Sequence, residues 1–198
     1  MNKMSRILAG VTALIVTMSL AACASQRPIE GSDEPPGLAG RSLPCLVSDL
    51  ISADEMEGVL QDSVKVTDHP AKDGYLASDF KSSQYQIRIA FYQEVLLPEG
   101  DPREGQAWTT YLEETKEELR AEQDALAINE TIRRSPVDDY EDTAFLTFID
   151  SKKEIQLDIF YHAYWVTITL TYSSSGQSDQ ASTAITDIGA VVADHLAL

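Results

Sequence analysis

Two alternating segments separated by two residues, 154–161 and 164–172, constrain the fold more than any other part of the sequence. In both, apolar side chains occupy every second position, which is the pattern of a β-strand with one buried face. The short connection at 162–163 predicts an antiparallel hairpin in which Tyr161 lies opposite Tyr164. This connection lacks the glycine that tight hairpin turns favour. We therefore expect an antiparallel sheet built around this pair of strands.

Other periodic segments predict further strands and three helices. Strands are expected near 85–91 and 144–149, and the apolar run 128–134 is expected to stop at Ser135 and Pro136. Helices are predicted at 53–60, 105–123 and 179–196. The first of them is preceded by Ser52 and has Glu55 at its third position, which is the spacing of a capping box. The expected architecture is α+β, an antiparallel sheet with about three helices packed mainly on one face.

The first 22 residues have the features of an export signal. Lys3 and Arg6 precede an apolar run that is shorter than the roughly 20 residues a membrane-spanning helix needs. The run ends in Leu20, Ala21, Ala22 and Cys23. This sequence closely resembles the bacterial lipobox. The resemblance implies cleavage before Cys23 and a diacylglyceryl group on its sulfur, and two acyl chains are enough for stable anchoring. The alternative is an ordinary signal peptide in which Cys23 is incidental.

The chain after the signal divides into a tether and a domain. Residues 23–43 contain the lipidated cysteine and a segment with proline, glycine and serine but no apolar periodicity, which predicts a flexible tether with a reach on the order of 25 Å. Residues 44–198 are expected to form a single domain. Cleavage before Cys23 would leave 13 basic and 32 acidic residues, a net charge of −19. This acidity argues against nucleic-acid binding and against electrostatic docking on anionic lipid, so the acyl chains are expected to hold the protein at the membrane.

Three short motifs resemble those of an uncharacterised family of cell-envelope lipoproteins from high-GC Gram-positive bacteria, classed as a domain of unknown function. They are Pro44-Cys45-Leu46-Val47, Ser52-Ala53-Asp54-Glu55 and Asp142-Thr143-Ala144-Phe145. The resemblance implies a sheet-plus-helices domain outside the membrane and no established activity. The chain departs from the family pattern at Gln61-Asp62, where a glycine often closes the first helix, and in lacking a second ectodomain cysteine, so that Cys45 has no intramolecular partner once Cys23 is lipidated. We expect Cys45 to be a buried thiol, with an intermolecular disulfide as the alternative.

The residues that could carry catalysis or metal binding do not form a recognisable motif. The serine-rich segment 173–176 lacks the first glycine of a nucleophile elbow. The histidines, His69, His162 and His195, are far apart in the sequence. The acidic segment 138–142 lacks the spacing and the central glycine of a calcium loop, so a solvated turn is expected. The sequence therefore predicts no catalytic residue, no metal and no cofactor other than the covalent lipid.

One feature of the predicted hairpin points to a contact surface. Its register places Phe160 opposite Trp165 on an otherwise polar face, and Tyr92 lies on the polar face of its own strand. A loop or the tether covering these aromatic residues is the alternative. We expect a membrane-anchored, extracytoplasmic lipoprotein whose non-catalytic domain binds an envelope protein or a hydrophobic small molecule. An envelope hydrolase using acidic residues and a structural or stress-related surface antigen are the other hypotheses.

Overall fold

A computed structural model describes residues 46–72, 75–92, 108–126, 132–137, 143–161 and 164–197. The predicted signal peptide, lipobox with Cys23 and tether lie outside the described residues, as do Cys45 and the acidic segment 138–142. His162 also lies outside them. The expectations for these parts of the chain therefore stay predictions.

The described residues form seven strands and three α-helices. The helices are α1 (Ala53–Leu60), α2 (Trp108–Leu126) and α3 (Ser178–Ala197). The strands are β1 (Lys65–Lys72), β2 (Tyr75–Lys81), β3 (Tyr85–Tyr92), β4 (Ile132–Val137), β5 (Thr143–Ile149), β6 (Glu154–Tyr161) and β7 (Tyr164–Tyr172). One antiparallel sheet contains all seven, in the order β1-β2-β3-β7-β6-β5-β4. The predicted α+β fold is confirmed. Among the described helices, none has the length and apolar character needed to cross a membrane.

The hairpin of β6 and β7 has the predicted register. Tyr161 pairs with Tyr164, and Phe160 pairs with Trp165. On its other side β7 pairs with β3, which places Tyr92 opposite Trp165. Residues distant in sequence thus become neighbours across three adjacent strands.

The two faces of the sheet are covered differently. The core face buries alternating aliphatic residues of the central strands, such as Ile89, Leu157 and Ile168, and α1 and α3 pack against it. The opposite face, called here the second face, contacts α2, whose Leu112 packs with Phe145 and Phe160. Two of the three helices therefore lie on the core face, and α2 covers part of the second face.

Helix α1 has a complete cap at its N-terminus and a strained residue just after its C-terminus. Ser52 Oγ accepts from the Glu55 backbone N–H at 3.2 Å, and the Ser52 backbone N–H donates to Glu55 Oε2 at 2.8 Å, which completes the predicted capping box. The helix ends at Gln61, which has a φ of 52°. This left-handed conformation favours glycine, so the chain holds a glutamine where a glycine would be less strained.

Two edges of the sheet differ from the sequence-based expectation. Strands β1 and β2 have no counterpart among the predicted elements, because β1 is a polar edge strand and the fully buried Ser78 interrupts the apolar alternation of β2. The Ser78 hydroxyl donates to Asp68 Oδ1 on β1 at 2.5 Å. The break expected at Ser135 and Pro136 is wrong, since β4 continues to Val137. An edge strand tolerates proline, which has no N–H to donate to a further strand.

Candidate functional site

Four aromatic side chains form a row across the second face. Trp165 lies in the middle, with its ring centroid 4.8 Å from that of Tyr92 and 5.7 Å from that of Phe160. Both neighbours stack on the indole, with interplanar angles of 28° and 11°. Phe145 meets Phe160 edge-on at 6.5 Å. The sequence prediction that Tyr92, Phe160 and Trp165 lie together is therefore geometrically correct. The four residues are called here the aromatic row.

The members of the row differ in exposure. Phe160 has no solvent-exposed surface, because α2 lies over it with Leu112. The prediction of Phe160 as a surface contact residue needs correction, since its ring is covered, and by a helix where a loop or the tether was the alternative considered. Tyr92 and Trp165 are half-buried. Because both faces of the indole are stacked, the edge of the ring is what Trp165 can present to a partner.

A fully buried carboxylate lies beside the row. Asp158, on β6, has no exposed surface. Its Oδ1 accepts the indole N–H of Trp165 and the hydroxyl of Thr167, each at 3.0 Å. The Gln156 amide nitrogen donates to Oδ2 at 2.8 Å and to Oδ1 at 3.1 Å. Each of these contacts is a donor aimed at the carboxylate, which is the arrangement that suits its ionised form.

Burial and hydrogen bonding act in opposite directions on this carboxyl. Burial raises the pKa of Asp158 above its ordinary value, because the low-dielectric interior disfavours charge. The hydrogen bonds from Gln156, Trp165 and Thr167, and the charge of Arg134, act in the lowering direction. The net direction is upward. Asp158 is thus a buried acid whose two oxygens both accept hydrogen bonds from side chains of its own sheet.

Helix α2 covers this region with a largely polar face. Thr115 and Lys116 are buried beside Leu112. The Lys116 ammonium lies 5.8 Å from the centre of the Phe160 ring and 2.9 Å from Glu113 Oε1, which is the ion pair expected from the spacing of these residues. The helix therefore contributes a cation to the aromatic row as well as an apolar contact.

Arg134 connects α2 to the edge of the sheet. Its Nε donates to Thr147 Oγ1 at 2.9 Å on the second face, and its Nη1 lies 2.7 Å from Glu122 Oε2 on α2. Only 11% of the Arg134 side chain is exposed, so this ion pair is partly shielded from water on the arginine side. It fixes α2 at the end farther from Leu112.

The two described histidines each contact a carboxylate. His69 lies 2.7 Å from Asp79, which also contacts Arg88 at 3.0 Å, and these three side chains are about half exposed. His195 lies 2.7 Å from Glu55. Within the ranges that the structure describes, no group of three or more His, Cys, Asp or Glu residues is placed to hold a metal ion.

Sequence reasoning missed Asp158 as part of the site. The alternation of β6 placed it correctly on the second face, next to Gln156 and opposite Thr167. Its neighbours in sequence suggested a solvated strand face, because nothing local shows that Trp165 and Thr167 of β7 donate to this carboxylate. The aromatic residues Phe160 and Trp165 on the same face could have indicated that this face is buried, since large aromatic side chains usually pack against other residues.

The chain was also compared with known proteins. No family model, no curated protein and no solved structure matched it. The resemblance to a lipoprotein family therefore stays a prediction based on short motifs.

Proposed function

We propose that this chain is a lipid-anchored protein of the bacterial cell envelope whose domain faces the extracytoplasmic side and binds a hydrophobic partner without catalysing a reaction. Support for the anchor comes from the export signal and from the lipobox-like sequence that ends at Cys23. The proposed contact residues are Tyr92 and Trp165, with Phe160 supporting them from beneath α2.

The observation that carries the binding proposal is the way Trp165 is held. Tyr92 and Phe160 cover its two faces, and Asp158 accepts its indole N–H. The side chain nevertheless stays partly exposed. Tryptophan and tyrosine are enriched among the residues that dominate binding energy, and a side chain already fixed loses little entropy on binding. A rigid, partly exposed tryptophan is therefore a suitable anchor for an apolar group.

Two classes of hydrophobic partner fit this surface, an envelope protein and a small molecule such as a lipid. Native mass spectrometry of the chain purified from its own envelope separates them. A defined additional mass would identify a small molecule, whereas a bare chain that forms cross-links in cells would identify a protein.

The double variant Tyr92→Ala/Trp165→Ala tests where the partner binds. We expect it to lose the additional mass or the cross-link. Phe148→Ala is the matched control, because Phe148 is a partly buried aromatic residue on the core face. Retention of the partner by the double variant, or equal loss from both, would refute the proposed surface.

The anchor is tested separately with Cys23→Ser. We expect the wild-type chain to incorporate a labelled fatty acid such as palmitate and to partition into detergent, and the variant to do neither. A variant that stayed at the membrane at its processed size would contradict the lipoprotein assignment while leaving the binding proposal intact.

An envelope hydrolase using acidic residues has less support. Asp158 is the buried acid that such an enzyme could use, but its carboxylate is enclosed and accepts hydrogen bonds from three side chains. A cavity of about 210 Å³ lies where the β2–β3 turn meets the end of β7. It is lined by Lys81–Gln86 and Thr171–Ser173, which include no carboxylate. The described geometry thus favours binding over hydrolysis.

A further inference from the structure

We propose that Asp158 is the positioning residue of the contact surface, and that it sets the orientation of the Trp165 indole through the hydrogen bond from Nε1. The consequence for binding rests on the proposed function. The positioning itself does not, because it concerns the partner-free protein.

Among the described residues, the indole N–H of Trp165 has Asp158 as its acceptor. Stacking on Tyr92 and Phe160 restrains the tilt of the indole, but stacked rings can still slide and turn in their common plane. The bond of 3.0 Å from Nε1 to Asp158 Oδ1 removes that freedom, since it fixes which edge of the ring points into the protein. The opposite edge is then the one presented outward.

Asp158 is itself held firmly enough to act in this way. Thr167 and Gln156 donate to the same carboxylate, and the side chain is fully buried on a central strand. A contact residue supported by packed side chains and further hydrogen bonds is held more precisely than one on a loop. Two neighbouring strands thus supply the acceptor and the indole.

The indole N–H of Trp165 provides a direct test. The chain has two tryptophans, so the background variant Trp108→Phe leaves Trp165 as the only indole. In the full chain, labelled with ¹⁵N and purified in detergent, NMR measures the solvent exchange of the Nε1 proton and acrylamide quenching reports access to the ring. The variants are Asp158→Ala, Asp158→Asn and, as the matched control, Thr167→Val, which removes another donor to the same Oδ1.

We expect exchange of the indole proton to increase about tenfold or more in Asp158→Ala, because the acceptor is lost. Asp158→Asn should restore most of the protection, since its amide oxygen can still accept, but more weakly than a carboxylate. Thr167→Val should leave exchange within about twofold of wild type. If Asp158→Ala does not fold, Asp158→Leu, which also lacks an acceptor but fills more of the space, takes its place and should show the same increase.

Indole exchange and quenching equal to wild type in a folded Asp158→Ala or Asp158→Leu variant would overturn the positioning role. An increase as large in Thr167→Val would overturn it too, because it would show that general loosening explains the effect. Failure of the binding proposal would give a different result. The Tyr92→Ala/Trp165→Ala variant would still bind its partner, while indole exchange would still increase in Asp158→Ala.

Discussion

His195, near the end of α3, contacts Glu55 in the first turn of α1, with Nε2 of the imidazole 2.7 Å from Oε1 of the carboxylate. The other oxygen of Glu55 accepts the backbone N–H and the hydroxyl of Ser52, at 2.8 and 2.7 Å. One carboxylate thus completes the cap of α1 and joins the two helices on the core face, although its two partners are 143 positions apart in the sequence.

This arrangement predicts acid sensitivity. Hydrogen bonds from Ser52 and then His195 lower the pKa of Glu55 from 4.5 to about 2. A carboxyl with a lowered pKa in the folded state stabilises the protein above pH 4.5, and this contribution disappears as the pH falls from 4.5 towards 2. The Glu55 side chain is 39% exposed and its charge is screened by water. We therefore expect its contribution to the free energy of unfolding to be about 1 kcal/mol.

Urea unfolding between pH 2 and 7 measures this contribution. Glu55→Gln should unfold with a weaker pH dependence below 4.5, because its amide does not titrate but still suits the capping box. Asp54→Asn is the control, since Asp54 is a neighbouring exposed acid in the same helical turn. Equal pH profiles for wild type and Glu55→Gln would contradict the linkage.

The end of α1 predicts a stabilising substitution. Gln61 has a φ of 52°, a conformation that costs a residue with a Cβ about 1 kcal/mol or more relative to glycine. Its side chain donates to the Gly58 carbonyl, and Gln61→Gly loses that exposed contact. We expect a net gain of about 0.5–1 kcal/mol in the free energy of unfolding. Gln61→Ala is the control and should give no gain, because alanine has the same Cβ. If Gln61→Gly were no more stable than Gln61→Ala, the proposed backbone strain at this position would be refuted.

The middle of the same helix predicts a second gain. Gly58 is exposed, and a Cβ built there meets no atom within 4 Å. Gly58→Ala should therefore stabilise the domain by about 0.5–1 kcal/mol, because alanine loses less backbone entropy in a helix. Gly176→Ala, at an equally open position in a short turn before α3, should gain less. Equal gains in stability at both glycines would show that the stabilisation does not come from the helix propensity of alanine.

The elements predicted well from the sequence are those whose signals are local. The alternation of β6 and β7 and the capping box of Ser52 and Glu55 lie within a few residues, and both are found where they were expected. The parts that sequence reasoning missed depend on distant segments. Ser78 is buried with its hydroxyl bonded to Asp68 on the next strand, and Asp158 is buried with an indole and a hydroxyl from β7 bonded to its carboxylate. The sequence thus predicted the aromatic residues of the candidate site, but it did not predict the buried carboxylate of Asp158.

In the part of α2 whose side chains the structure describes, Leu112 packs on the second face with Leu119 beside it, and this predicts where that face is most sensitive. Phe160 is fully buried between Leu112 and Phe145. We expect Phe160→Ala to cost about 3–4 kcal/mol, because it leaves a cavity under the helix and removes one stacking partner of Trp165. Phe148→Ala, on the opposite face and partly exposed, should cost less, about 1–2 kcal/mol.

The two variants also differ in which part of the protein loosens. Hydrogen exchange of the α2 amides should speed up in Phe160→Ala more than exchange of the α3 amides, because α3 packs on the other face of the sheet. Phe148→Ala should show no such preference for α2. Uniform acceleration in both helices would mean that α2 unfolds only together with the core, and that Phe160 supports the whole domain rather than the covered end of the aromatic row.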